Sequence, residues 1–196
     1  MKKIIVIAMT LFLASCEQGP TPFVAAPFAF ETQHDSIRVN VHEIRVIQHY
    51  QSPLKRPNVE QEFPVTPAAA IERWVKLRLS SNPTISANSV LEITIEDASV
   101  REVKLPKTKG FKGLITDDQD ARYDARMNVS FRLYSGGGGI SDASAQVTIS
   151  RSRSINERAT VYQREAIYHQ MTDEMMNDFE RETHARLRQY FSNYLN

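Results

Sequence analysis

The side chains best suited to chemistry in this sequence are scattered rather than gathered. Five histidines stand at His34, His42, His49, His169 and His184, and an imidazole can act as a general base or a metal ligand. None lies in an HExxH pattern, and no tight histidine–carboxylate set has metal-ligand spacing. His169, beside Tyr168 on a helical stripe, reads as a boundary residue. Paired acids occur at Asp117-Asp118, Asp173-Glu174 and Asp120 with Asp124, and two neighbouring carboxylates can share acid–base work. The first two pairs adjoin on a loop or an exposed helical turn, where solvated charge accounts for them. There is no GxSxG elbow, no P-loop and no catalytic cysteine. The run Gly136 to Gly139 lacks a following Lys-Ser/Thr and precedes a strand, so it makes a poor phosphate cradle. The expectation is a protein that is not an enzyme, with no metal or cofactor site.

Arg151, Arg153, Arg158 and Arg164 form a basic cluster where the last strand meets the last helix. Guanidinium groups placed there could hold lipid phosphate or a partner's acids. Ser150, Ser152 and Ser154 interleave with them, which also fits a solvated strand end. The chain as a whole has 24 basic and 23 acidic side chains. Without Lys2 and Lys3 the balance is 22 to 23, which argues against a nucleic-acid binder.

Cys16 is the single cysteine, so neither an intramolecular disulfide nor a thiolate zinc site can form. The residues ahead of it fall into three zones: Lys2 and Lys3, an apolar stretch from Ile4 to Leu13, then Leu13-Ala14-Ser15-Cys16. The apolar stretch is too short for a spanning helix, which needs roughly twenty residues. The third zone matches the bacterial lipobox. That resemblance implies cleavage after Ser15, a diacylglyceryl group on the Cys16 thiol and an acyl chain on the new amine. Three chains exceed what stable anchoring requires. Glu17 follows, and under the enteric sorting pattern a residue other than aspartate there implies the outer membrane, facing the periplasm.

The elements that must position these groups follow from periodicity. Residues 1–15 read as a lipoprotein signal peptide, 16–35 as a lipidated flexible tether, and 36–196 as a single periplasmic α+β domain. Gly19, Pro20, Pro22 and Pro27 make the tether extended, and Phe23, Phe28 and Phe30 are candidates to pack onto the domain. Ile37, Val39 and Val41 alternate as a strand, and Ile44 and Val46 resume on the opposite parity, which a bulge near His42-Glu43 would reconcile. Pro53, Pro57 and Pro64 mark a loop. Thr66-Pro67 opens a helix with the stripe Ala70, Ile71, Trp74, Val75 and Leu79, and Trp74 reads as a core anchor. Leu91, Ile93 and Ile95 define the next strand, which Val100, Val103 and Leu105 would extend past a bend. A long loop from Pro106 to Asp120 precedes the cleanest alternation, Ala125 to Leu133, and Ala143 to Ile149 returns as its hairpin partner. From Glu157 or Thr160 to Leu195 the chain reads as helix, with Tyr168, Met171, Met175, Phe179, Leu187, Tyr190, Phe191 and Tyr194 on one stripe. The predicted fold is a two-layer α+β sandwich: a mostly antiparallel sheet of about four strands with two helices on one face.

This order behind a lipidated cysteine resembles small Gram-negative envelope lipoproteins. The resemblance rests on the hairpin at 123–150, the tract Ser150-Arg151-Ser152-Arg153-Ser154 and the amphipathic helix after it. It points to two families, the auxiliary lipoproteins of ABC-type lipid transport and the lipopolysaccharide-assembly lipoproteins that sit inside an outer-membrane barrel. The stretch Arg73-Trp74-Val75-Lys76-Leu77-Arg78 is similar to uncharacterised proteobacterial lipoproteins. What this implies is a non-enzymatic accessory in envelope assembly or lipid transport, working through a protein partner. A periplasmic ligand-binding lipoprotein, with a pocket between sheet and helices, is the alternative. A hydrolase assembled only in the fold is a third reading.

Overall fold

The structure, a computed structural model, describes residues 23–32, 35–105, 119–136, 139–156 and 158–196. The expected signal peptide, Cys16, His34, Glu157 and most of the 106–120 loop, with Asp117 and Asp118, lie outside the described residues. In chain order the strands are β1 (Ile37–Arg38), β2 (Glu43–Gln48), β3 (Leu79–Ser80), β4 (Val90–Asp97), β5 (Val100–Lys104), β6 (Gln119–Tyr134) and β7 (Ala143–Asn156). Helix α1 (Pro67–Arg78) lies between β2 and β3, and α2 (Val161–Tyr190) follows β7.

The fold is α+β with a mostly antiparallel sheet, as expected; the main sheet has five strands rather than about four, and one of its pairs is parallel. Five strands form the main sheet in the order β2-β4-β6-β5, with β7 on the other side of β6, and β1 and β3 make a separate pair. Long β6 explains the arrangement. Its Asn128–Tyr134 half pairs with β4 and its Ala121–Ala125 half with β5. Its opposite side pairs with β7 from Gln119 to Leu133. Val100 and Val103 therefore belong to a second strand rather than an extension of the first. Val103, at 37% exposed, does not face the core.

The β2–β4 pair is parallel, Ile44 opposite Leu91 and Val46 opposite Ile93, so the sheet is mixed. The connection through α1 makes this possible, because parallel neighbours need a crossover rather than a tight turn. No bulge reconciles the two parities before it. The chain bends at residues 40–42 and changes partner, β1 joining β3 while β2 joins β4. Val39 and Val41 are fully buried at that bend.

Both helices lie over the face that carries Leu91, Ile93, Phe131 and Val147. Trp74 of α1 meets Phe179 edge-on at 5.2 Å, and Phe131 of the sheet stacks on the same ring at 6.5 Å. Thr66 caps α1 by accepting from the Ala69 amide at 3.2 Å. Thr160 caps α2 within a reciprocal capping box with Gln163. The second helix stops at Tyr190, earlier than the stripe suggested. Phe191 turns into the core and a 3-10 turn, Ser192–Tyr194, leads Leu195 to bridge Val39.

Phe28 and Phe30 do pack onto the domain. Both are buried around a 3-10 turn, Ala29–Thr32, held by the Ala29 amide donating to Asp173 at 2.8 Å. Phe28 also stacks on His169, 4.7 Å between centroids. The packed unit thus takes in residues ahead of position 36.

Candidate interaction surface

The alternation of β7 continues past Ile149, but its core-side positions change from apolar residues to Arg151 and Arg153. Both reach acids on α2. Arg151 Nε donates to Asp178 Oδ2 at 2.8 Å, and Asp178 also accepts from Arg181 at 2.6 Å. Burial alone would raise the Asp178 carboxyl, but these guanidinium bonds outweigh it and hold it below the usual carboxylate range. Arg153 donates to Glu174 at 3.2 Å, which also accepts from Gln170 at 3.1 Å. Arg164 turns inward to the Tyr123 hydroxyl at 3.2 Å and the Ala159 carbonyl at 3.3 Å. Arg158 lines an open groove beside Tyr162. The four arginines thus take different contacts: two tie strand to helix, one braces an inner tyrosine, and one borders a groove.

Among the described residues, no helix lies on the opposite face of the sheet. On β7 this face presents Ser144, Gln146, Thr148, Ser150 and Ser152 as an exposed polar row, opposite Arg132, Ser130, Asn128, Arg126 and Asp124 of β6. Gln146 and Thr148 both donate to the Asn128 side chain, at 2.8 and 3.1 Å. Asp124 accepts from Arg122 at 2.8 Å and from Ser152 at 2.6 Å, and these bonds, that of Arg122 first, keep its carboxyl ionised to lower pH than usual. Arg101, Asp97 and Arg126 border a shallow groove of about 370 Å³ on this face. Such a surface can exchange hydrogen bonds and ion pairs with a polar partner.

Two interior polar nodes escaped the sequence reading. Arg78, 2% exposed, donates through Nε to Glu180 at 2.7 Å, joining the end of α1 to the middle of α2. His184 stands 3.8 Å from the same carboxylate, too far for a hydrogen bond. Burial lowers its pKa, against the pull of Glu180 and with the push of Arg78 and Arg188. In the other node, Glu60 accepts from the Tyr50 hydroxyl at 2.5 Å and from the Val100 amide at 3.3 Å. Burial opposes the charge on Glu60, yet bonds from Ser52, Tyr50 and Val100 win and depress its pKa; Tyr50 is pushed up by burial and by that carboxylate. A signal for the first node was present. Arg78 continues the spacing of Ile71, Trp74 and Val75, and Glu180 that of Met176, Thr183 and Leu187.

Of the other histidines among the described residues, His42 and His49 each meet one acceptor. His42 Nδ1 lies 3.1 Å from the Pro83 carbonyl and His49 Nδ1 3.2 Å from Glu96. Among the described residues no three His, Cys, Asp or Glu side chains are grouped to hold a metal, and no helix is long and apolar enough to cross a membrane. The space between sheet and helices is filled by Trp74, Phe131, Met175 and Phe179.

Fold and surface together define a small α+β domain with a packed interior and a polar open sheet face. The chain belongs to the lipopolysaccharide-assembly family (LptE), whose model matches residues 53–183. No curated protein matches it. Among solved structures it is similar to a minor lipoprotein from Acinetobacter baumannii, at 12% identity and TM-score 0.38, covering 76% of this chain and 96% of that one. It is also similar to the rare lipoprotein B from Shewanella oneidensis, at 13% identity and TM-score 0.31, covering 74% and 98%. A third is PelC from Paraburkholderia phytofirmans, at 11% identity and TM-score 0.24, covering 75% and 93%.

Proposed function

We propose that this protein is a lipid-anchored, non-enzymatic accessory of lipopolysaccharide assembly at the outer membrane, working from the periplasmic side through contact with an envelope protein partner. The observation that carries this reading is the family match over residues 53–183, a span that includes α1, the main sheet from β4 to β7 and most of α2. The lipobox ending in Cys16 supplies the anchor in this reading. The polar face of β6 and β7, which no described helix covers, supplies a surface suited to a partner, with exposed hydroxyls, amides and guanidinium groups at strand spacing.

Crosslinked, detergent-solubilised envelopes give the test, by affinity recovery of the full-length protein beside a Cys16→Ala control. The expected result is a lipopolysaccharide-assembly component that co-purifies with the anchored chain and is depleted in the control. Recovery of the protein alone in both samples would overturn the partner. Absence of acyl mass on Cys16 would overturn the anchor.

A further inference from the structure

We infer that the outer edge of β7 is a strand-addition site, taking an extended acidic segment of the envelope protein partner as a further strand of the sheet. This rests on the reading that the protein works through such a partner, and adds which main chain and which charges receive it.

Strand β7 runs for 14 residues and, among the described residues, pairs only with β6. Successive residues of a strand aim their N–H and C=O groups alternately to either side, so about half of β7 offers unmet donors and acceptors along its outer edge. Native proteins blunt such edges with short strands, charge, proline or bulges. The other edge strands of the sheet follow that rule: β2 has six residues and carries Glu43 and Arg45, and β5 has five and carries Arg101, Glu102 and Lys104. From Ala143 to Ser150, by contrast, β7 has no charge, no proline and no glycine. Its register against β6 is unbroken opposite Ala121 to Leu133. A long unblunted edge is what an added strand needs, since main-chain bonds supply the affinity and alternate side chains the choice of partner.

Charge beside this edge selects the segment. A cavity of about 510 Å³ borders it, with Arg132, Ser144, Ala145, Gln146, Arg186 and Tyr190 in its walls. Among the described residues neither Arg132 nor Arg186 has an acid within ion-pair distance. Arg132 stands on the open polar face of the sheet, and Arg186 comes from α2, which lies over the covered one. Consecutive side chains of an added strand point to opposite faces, so acids at adjacent positions are aimed at one arginine each. The same charge selects against a second copy of this chain. Antiparallel self-pairing centred on Thr148 sets Arg151 against Ala145 and Arg153 against Ala143, bringing two more arginines to a cavity that already holds two.

The test compares the full-length protein alone with its affinity-purified envelope complex by hydrogen exchange. In parallel, a photo-crosslinking p-benzoylphenylalanine replaces Gln146 in cells, and mass spectrometry sequences the peptide it captures. Within residues 143–150, the amides that exchange fast in the protein alone should slow by about tenfold or more in the complex, while β2 is unchanged. The captured peptide should be a partner segment carrying Asp or Glu at adjacent positions. Arg132→Glu combined with Arg186→Glu should cut that adduct severalfold, with the melting temperature read to confirm folding. Should the double variant not fold, Arg132→Gln, at an exposed position, carries the comparison. An adduct yield that the charge variants leave unchanged overturns the role of the two arginines. A partner that co-purifies while those amides keep their free-protein rates, or a captured segment without acids, overturns the strand addition and leaves the partner reading intact. An adduct on lipid or on a second copy of this chain overturns it as well. Purified material without any partner sinks that reading and this inference together.

Discussion

Arg78 and Glu180 pose the energetic question most directly at the level of single residues. Removing two charges from water is costly, and their mutual attraction compensates only while both are present. Glu180→Gln or Arg78→Met alone should therefore cost about 3–5 kcal/mol by urea unfolding, because the remaining charge stays buried. Replacing both with methionine should recover most of that loss. If the double variant falls as far as the sum of the singles, the pair does not act as a unit. His184 beside them adds a pH term. Burial depresses its folded pKa below the ordinary imidazole value, so between those two values the unfolded chain binds more protons. Stability from this group is then complete above the unfolded pKa of about 6.5 and declines as pH falls through it toward the folded value. In His184→Gln the melting temperature should fall less between about pH 7 and 5 than in the wild type. An unchanged slope would show that His184 is not the group responsible.

Among the elements, caps were among the features most open to reading in advance. Thr66-Pro67 and Thr160 each place a hydroxyl and a compatible first turn where the helix begins, and both hydroxyls accept a backbone amide. Thr160→Ala breaks a capping box at the start of a helix of 30 residues, and should cost about 1 kcal/mol in urea unfolding without changing the m-value. An effect near zero would mean that packing of Tyr168 and Met171 alone holds the first turns. The β6–β7 hairpin was equally legible, because strict alternation from Ala125 to Leu133 and a glycine turn specify both strands and their connection. The parallel β2–β4 pair was not. Nothing local in Ile44–Val46 or Leu91–Ile95 distinguishes parallel from antiparallel partners, since that depends on where α1 carries the chain. The contacts of the arginines are not legible in the sequence. Sequence spacing put Arg151 and Arg153 together, while only the approach of Asp178 and Glu174 from α2 shows them as ties between layers.

Across the whole molecule, the two ends of the packed domain are fastened to each other beside the smaller sheet. Leu195 bridges Val39, the Asn40 amide donates to the Tyr194 carbonyl at 2.7 Å, and the Asn196 amide donates to the Arg38 carbonyl at 3.1 Å. The side chains of Asn40 and Asn196 exchange two further bonds at 2.9 and 2.8 Å. None of these touches the β4-β6-β7 ladder, whose long register and apolar face constitute the main core. Regions with few buried contacts open independently of the global transition. A chain ending at Phe191 keeps that fully buried ring but loses the clasp. At about 0.5–1.5 kcal/mol for each hydrogen bond lost, with the Asn40–Asn196 side-chain bonds counted low for their exposure, the truncation should cost about 2–4 kcal/mol. The loss should be local. Amide exchange should accelerate at Val39, Val41 and Leu79 while remaining slow at Ile93, Val129 and Val147. Uniform acceleration across both sets would instead mean that the C-terminal clasp and the main sheet unfold as one unit.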